Sequence, residues 1–221
     1  MLVFLGFQVI GQNNFEPCSD VYSESIWFSE SQLKKGKQLM EFKNDEFTYS
    51  SILINPSLSF CSQYLALTKN SKTYNFKLTL KDLCFRKNKY EVIETSRSLT
   101  KDEAKAIIDL FVVALFHLEY NPKTMEYADG TSYHLRSEFW GVSHNLCGYV
   151  HSPIQAGNVR RFIDLSNDII QFVKSDESAL DSKLIERIKD LTIEMNVKKL
   201  NLADPAIEVQ MFGEKFEFFL K

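Results

Sequence analysis

The hydrophobic period of this chain changes near residue 100, and this change restricts the possible folds more than any other feature of the sequence. Between residues 26 and 94 apolar and polar side chains mostly alternate, although residues 31–40 fit a short helix as well as a strand, and turn residues such as Asn55-Pro56 and Lys69-Asn70-Ser71 separate the alternating runs. This pattern is typical of antiparallel strands with one wet face. After Thr100 the apolar residues recur at helical spacing instead. We therefore expect a β-meander that is followed by helices.

Three helices are predicted in the second half of the chain. The first begins at Thr100, which has the spacing of a capping box with Glu103, and it ends near residue 120. It is apolar around much of its circumference, so we expect it to be the central buried helix. The second covers residues 159–173 and the third covers residues 180–195, each with an apolar stripe.

Hairpin signals lie between and after these helices. Asp129-Gly130 is the strongest two-residue turn signal in the chain, and it is predicted to join residues 124–128 to residues 131–136. A returning strand is expected over residues 145–150, and a closing hairpin is expected around Gly213.

Together these elements predict an α+β fold. Its antiparallel β-sheet, a meander plus hairpins, is packed by two or three helices on one face. No stretch has the composition of a linker and no repeat is present, so residues 12–221 are predicted to form a single domain.

The first residues allow two interpretations of the compartment. Residues 1–11 are uncharged and almost entirely apolar, which is typical of a secretory signal's apolar region, although no basic residue opens it. This interpretation predicts a periplasmic or secreted protein and residues 1–11 as a signal-peptide remnant. Because Leu5, Phe7 and Val9 alternate, a buried first strand in a cytoplasmic protein is the alternative. The segment is shorter than the about 20 residues of a membrane-spanning helix, so no transmembrane span is predicted.

The cysteine pattern depends on that choice of compartment. Cys18, Cys61, Cys84 and Cys147 form no CxxC pair, which argues against a zinc ribbon or a thioredoxin-type centre. In an exported chain four cysteines permit two disulfides with three possible connectivities. In the cytoplasm they would be buried free thiols.

Charge and motif content exclude several classes of function. The formal net charge is −3, so no global field attracts nucleic acid or an anionic membrane. The patterns GxSxG, GxxxxGK[ST] and GxGxxG do not occur in the sequence. The sequence therefore predicts no cofactor and favours a binding protein over an enzyme, and it leaves the oligomeric state open.

Aromatic and basic residues mark a candidate binding surface near the predicted hairpins. Aromatic residues at loop tips often anchor a protein partner, and here they are Tyr133, Trp140 and Tyr149. Arg160 and Arg161 stand at the start of a predicted helix, where they could hold an anion or form a solvated first turn. The alternative is that these aromatic residues pack a hairpin onto a helix. If a protein partner binds this chain, we expect it at this surface.

Three histidines in the same region suggest a second hypothesis. His134, His144 and His151 are weak candidates for metal ligands, with Glu138 or Asp129 as possible partners, although no HxH or HExxH spacing is present. They could also line the pocket of an unrecognised hydrolase. Cys147 with His144 or His151 could form a thiol nucleophile and its general base.

The order of elements from residue 100 to residue 173 resembles that of small bacterial immunity-type and uncharacterised exported proteins. The shared layout is an apolar helix, then Asp129-Gly130-Thr131-x-Tyr133-x-Leu135, then Ser152-Pro153 and a second apolar helix. The resemblance covers about a third of the chain and implies a binding protein rather than an enzyme. With the export-like start, the absence of catalytic signatures and the aromatic hairpin, our first hypothesis is an exported, envelope or periplasmic protein of a Gram-negative bacterium that binds a protein partner, with a toxin-like enzyme that it blocks as the candidate partner. It assigns no functional residue.

Overall fold

The computed structural model describes ten stretches of the chain. These are residues 16–17, 45–56, 59, 61–86, 89–116, 130–138, 145–153, 156–197, 209–211 and 214–216. The predicted signal segment, residues 1–11, lies outside them.

Seven of the described strands form one antiparallel sheet with the order β1-β7-β6-β2-β3-β4-β5. The strands are β1 (Glu16–Pro17), β2 (Glu46–Pro56), β3 (Cys61–Asn70), β4 (Phe76–Arg86), β5 (Lys89–Leu99), β6 (Thr131–Glu138) and β7 (Asn145–His151). The meander β2-β3-β4-β5 is the one that the alternating sequence predicts. A separate pair, β8 (Val209–Met211) and β9 (Glu214–Phe216), forms the predicted closing hairpin.

Three helices in the described part of the chain complete the α+β fold, namely α1 (Lys101–Phe116), α2 (Asn158–Lys174) and α3 (Ser182–Val197). Helices α1 and α2 contact the sheet, and α3 packs against both of them. The predicted capping box is confirmed at the start of α1. The carboxylate of Glu103 accepts hydrogen bonds from the backbone N–H and the hydroxyl of Thr100, both at 2.7 Å. Within the described residues, no helix is both long enough and apolar enough to cross a bilayer.

The main core lies between the sheet and the helices. Alternate residues of the central strands point toward the helices, among them Ile52, Leu65 and Leu135, and all three are almost fully buried. The rings of Phe111 on α1 and Phe162 on α2 meet edge to face in this layer, with their centroids 5.1 Å apart. This arrangement follows from the alternating pattern of the strands and the apolar stripes of the helices.

The other side of the sheet, here called the second face, is also buried at its centre. It carries a small apolar cluster made by Leu53, Tyr64 and Ala66. Beside this cluster lie buried polar side chains, including those of Thr79 and Lys81. The second face is therefore more polar than the helix face, and it includes His134, Tyr149 and His151, which the sequence singled out.

The strand pairing of β6 corrects the prediction for Asp129-Gly130. Residues 131–137 pair with β2 on one side, and residues 132–138 pair with β7 on the other. Because both edges of β6 are occupied, residues 124–128 have no edge of this strand to pair with, and the predicted hairpin across Asp129-Gly130 is wrong. Residues 124–128 themselves lie outside the described residues. The second predicted hairpin, with the returning strand at residues 145–150, is confirmed as β6–β7.

Gly130 has a different role from the predicted turn residue. Its φ is 135°, a conformation that residues with a side chain rarely adopt. A Cβ atom at this position would lie 1.8 Å from Ser152 Oγ and 2.7 Å from His151 Nε2. Glycine therefore permits the close packing of the start of β6 against the end of β7.

Candidate functional site

The described histidines lie together on the second face. His134 on β6 is directly opposite Tyr149 on β7, and their ring centroids are 4.8 Å apart. One row further along, Ser132 is opposite His151, and Ser132 Oγ lies 3.1 Å from His151 Nδ1. His151 is only 5% exposed. The sequence thus correctly placed two of its three histidines together, and β6 and β7 bring them into one cluster.

The electrostatics of this cluster favour neutral imidazole at His134. Burial, with a further contribution from the nearby His151, lowers the pKa of His134 from 6.5 to about 4. Two cations side by side in a partly desolvated site would repel each other. His134 is therefore uncharged at neutral pH, when it packs against Tyr149 as a flat polar ring.

Ser132 and His151 are the residue types of a nucleophile and its general base, but a substrate cannot reach them as it does in a hydrolase. In a hydrolase the base must reach the nucleophile while the substrate reaches both. Here His151 is buried, and its second ring nitrogen, Nε2, faces the backbone at Gly130. The contact fixes the end of β7 against the start of β6. Among the described side chains, no group of three or more histidine, cysteine, aspartate or glutamate residues could hold a metal ion.

Tyr133 and the two arginines lie on the opposite side of the sheet from this cluster. Tyr133 is partly buried against the main core, and burial is the largest cause of its raised pKa, which the nearby Arg160 opposes. Arg160 pairs with Asp164 at 2.9 Å on α2, and Arg161 pairs with Glu194 on α3. Both guanidinium groups thus have carboxylate partners, which agrees with the solvated first turn. Trp140, His144 and Asp129 lie outside the described residues.

The cysteines that the structure describes are disulfide-bonded. Cys61 on β3 and Cys84 on β4 are directly opposite each other and are bonded, with their Cα atoms 4.0 Å apart. Cys147 is also disulfide-bonded, and no described cysteine is a free thiol. The hypothesis that Cys147 acts as a thiol nucleophile is therefore wrong, because a disulfide sulfur cannot form the thiolate that this chemistry needs.

The sequence did not predict the most exposed apolar surface of the sheet. Val92 and Ile93 on β5 are 47% and 46% exposed. They stand on an edge of the sheet, because no described strand pairs with the outer side of β5. We call the outer side of β5, with these two side chains, the β5 edge. An adjacent apolar pair that interrupts the alternation at residues 92–93 was its only signal in the sequence.

Comparison with known proteins identifies no relative of this chain. No protein-family model, no curated protein and no solved structure matches this chain. The fold and its surfaces define a disulfide-bonded α+β protein, and any function must be argued from its own residues.

Proposed function

We propose that this chain is an exported binding protein that recognises another protein through the β5 edge. The observation that carries the proposal is the exposure of Val92 and Ile93 at the end of an otherwise well-buried sheet. Large aliphatic side chains that stay exposed next to each other often mark a surface for association. The core behind them is buried and the neighbouring strands β3 and β4 are joined by a disulfide, so such a surface would be formed before the partner arrives, which reduces the ordering cost of binding.

Export is supported by the state of the cysteines. The bond between Cys61 and Cys84, and the bonded state of Cys147, fit an oxidising compartment such as the periplasm or the cell exterior. The uncharged apolar segment at residues 1–11 supports the same compartment.

An immunity-type role is the specific form of this proposal. In that role the chain would bind a toxin-like enzyme and block it, as the resemblance in residues 100–173 implies. A preformed surface on a stable scaffold suits an inhibitor, because inhibitors of this kind bind with little change of backbone shape.

Site-specific photo-cross-linking in cells tests the binding function. A photoreactive amino acid replaces Val92 in one variant, and Ile193 on α3, which is 62% exposed, provides the matched control position. We expect one dominant protein adduct at position 92 and none at position 193. The proposal is wrong if position 92 gives no protein adduct, or if both positions give the same adducts.

The contact between Ser132 and His151 favours one alternative, an unrecognised hydrolase. Their atoms lie at hydrogen-bond distance, as a serine nucleophile and its base require. A fluorophosphonate probe labels activated serines, so the hydrolase hypothesis expects labelling that Ser132→Ala removes. Absence of labelling on the folded, oxidised protein would eliminate this alternative.

A further inference from the structure

We infer that Cys147 on β7 is bonded to Cys18, and that this second disulfide holds β1 against the outer edge of β7. The sequence contains four cysteines, and Cys61 and Cys84 are bonded to each other. Cys147 is also disulfide-bonded. Cys18 lies outside the described residues, but the count leaves it as the remaining cysteine of the chain, and therefore as the partner of Cys147.

The pairing of β1 with β7 supports the same connectivity independently. The two strands are antiparallel, and Pro17 is opposite Gly148. Cys18 follows Pro17 in the chain and Cys147 precedes Gly148, so each cysteine is one residue beyond an observed pair. Opposite Cα atoms of antiparallel strands are about 4.5–5.5 Å apart. Continuing the register by one position therefore brings the two cysteines within the Cα separation that a disulfide requires.

The bond forms by oxidation of two thiols. The two Sγ atoms join, and the thiols lose two electrons and two protons, which a disulfide of an external oxidant accepts as it becomes a dithiol. This step rests on the proposed export, because an oxidising compartment supplies such an oxidant.

Without a covalent link β1 would hold its position weakly. The strand consists of Glu16 and Pro17, and the proline has no N–H to donate to a ladder. Because a single hydrogen bond contributes little net stability, so short a strand would detach readily. Cys18 and Cys147 are far apart in the sequence, so the bond removes a large entropic cost of bringing β1 to this edge.

Holding β1 in place protects one edge of the sheet. In the described sheet β7 pairs with β6 on one side and with β1 on the other. If β1 detached, the seven residues of β7 would present unpaired N–H and C=O groups, which can pair with another chain. Proline on an edge strand hinders such pairing, because it cannot donate to a further strand. The bond therefore keeps Pro17 where it protects this edge from association with other chains.

Peptide mapping of the non-reduced, oxidised protein tests the connectivity. Trypsin cleaves after lysine and arginine, so the four cysteines fall on four different peptides, which end at residues 34, 69, 86 and 160. We expect a linked pair of peptides that carries Cys18 and Cys147 and disappears on reduction. The linked pair of Cys61 and Cys84 is the internal control. A free Cys147 thiol, or a link from Cys147 to any other cysteine or to a second copy of the chain, overturns the inference.

Hydrogen exchange tests whether the bond holds β1 in place. The double variant Cys18→Ala with Cys147→Ala is compared with the matched double variant Cys61→Ala with Cys84→Ala. In the first variant we expect the amides of residues 145–151 to exchange about tenfold faster or more, while those of α1 keep their rate. In the matched variant residues 145–151 should exchange as in the wild type. Unchanged exchange in the first variant overturns the protective role. Peptide mapping uses the wild type, so it decides the connectivity even if a variant does not fold.

This inference and the proposed binding function fail in distinguishable ways. A Cys18–Cys147 link, combined with no protein adduct at position 92, would remove the binding surface and leave the protected β7 edge standing. An adduct at position 92, combined with a free Cys147, would remove the second disulfide and leave the binding function standing.

Discussion

His134 should make the stability of this protein fall as the pH drops from 6.5 toward 4. In the folded protein the pKa of this imidazole is about 4, because it is buried and lies near His151, while an unfolded chain has the ordinary value of 6.5. Between these two values the unfolded chain binds a proton that the folded chain does not. The stabilising contribution is therefore complete above pH 6.5 and is lost as the pH falls.

The size of the effect follows from the difference between the two pKa values. One pKa unit corresponds to about 1.4 kcal/mol, so the full difference corresponds to roughly 3 kcal/mol. The imidazole retains some contact with water, which screens its charge, and we therefore expect a loss of about 2 kcal/mol between pH 6.5 and pH 4. The groups that face His134 are Tyr149 and His151 on β7 and Leu53 on β2.

Urea unfolding, followed by circular dichroism at several pH values, measures this contribution. Many other groups titrate in this range, so the informative quantity is the difference between the wild type and variants at position 134. His134→Gln and His134→Phe both lack a titrating group but differ in how well they pack. Both should show the same shallower dependence on pH, even if their stabilities at pH 7 differ. If the curves of both variants run parallel to that of the wild type, the reasoning about His134 is refuted.

Three further predictions concern the scaffold, and urea unfolding at pH 7 measures all of them. Glu103→Ala should cost about 3 kcal/mol, because it leaves a buried backbone N–H without its acceptor, whereas Glu103→Gln should cost about 1 kcal/mol; equal losses would contradict this. Replacing Cys61 and Cys84 together by alanine should cost about 3 kcal/mol, and an unchanged midpoint would show that the bond does not stabilise the fold. Gly130→Ala should cost more than 2 kcal/mol through steric overlap, whereas the matched variant Gly157→Ala, which meets no atom within 4 Å, should cost only about 1 kcal/mol; the opposite order would exclude the packing role.

The parts of the fold that the sequence predicted are the local ones. These local features are the alternation of β2 to β5, the capping box at Thr100 and the apolar stripes of α2 and α3. Each is a property of residues that are close in the sequence, so the sequence pattern was sufficient to predict these strands and helices. The Asp129-Gly130 prediction failed because a turn signal does not say which strands pair. Strand β6 instead pairs with β2, and the hydroxyl of Ser137 forms a hydrogen bond with the hydroxyl of Ser50, which is 87 residues away in the sequence.

The candidate sites show the same division between what the sequence predicts and what only the packed structure shows. Their closeness in the sequence grouped His134 and His151, but only the packed structure shows that His151 is buried and that its Nδ1 lies at hydrogen-bond distance from Ser132 Oγ. The register of β3 and β4 selected Cys84 as the partner of Cys61, a choice that the cysteine count left open. The exposure of Val92 and Ile93 depends on β5 being the last of the described strands in the sheet, and no local sequence pattern predicts that position.

The position of β2 has a consequence for biogenesis. Among the described strands, β6 alone pairs with the edge of β2 that faces away from β3, and β6 leaves the ribosome about 80 residues later. During synthesis the growing meander therefore presents an unpaired apolar edge for several seconds, at usual elongation rates of about 5–20 residues per second. This interval is a window for misassembly with other nascent chains, and a holding chaperone that shields β2 until residue 138 has emerged would raise the yield of the native protein.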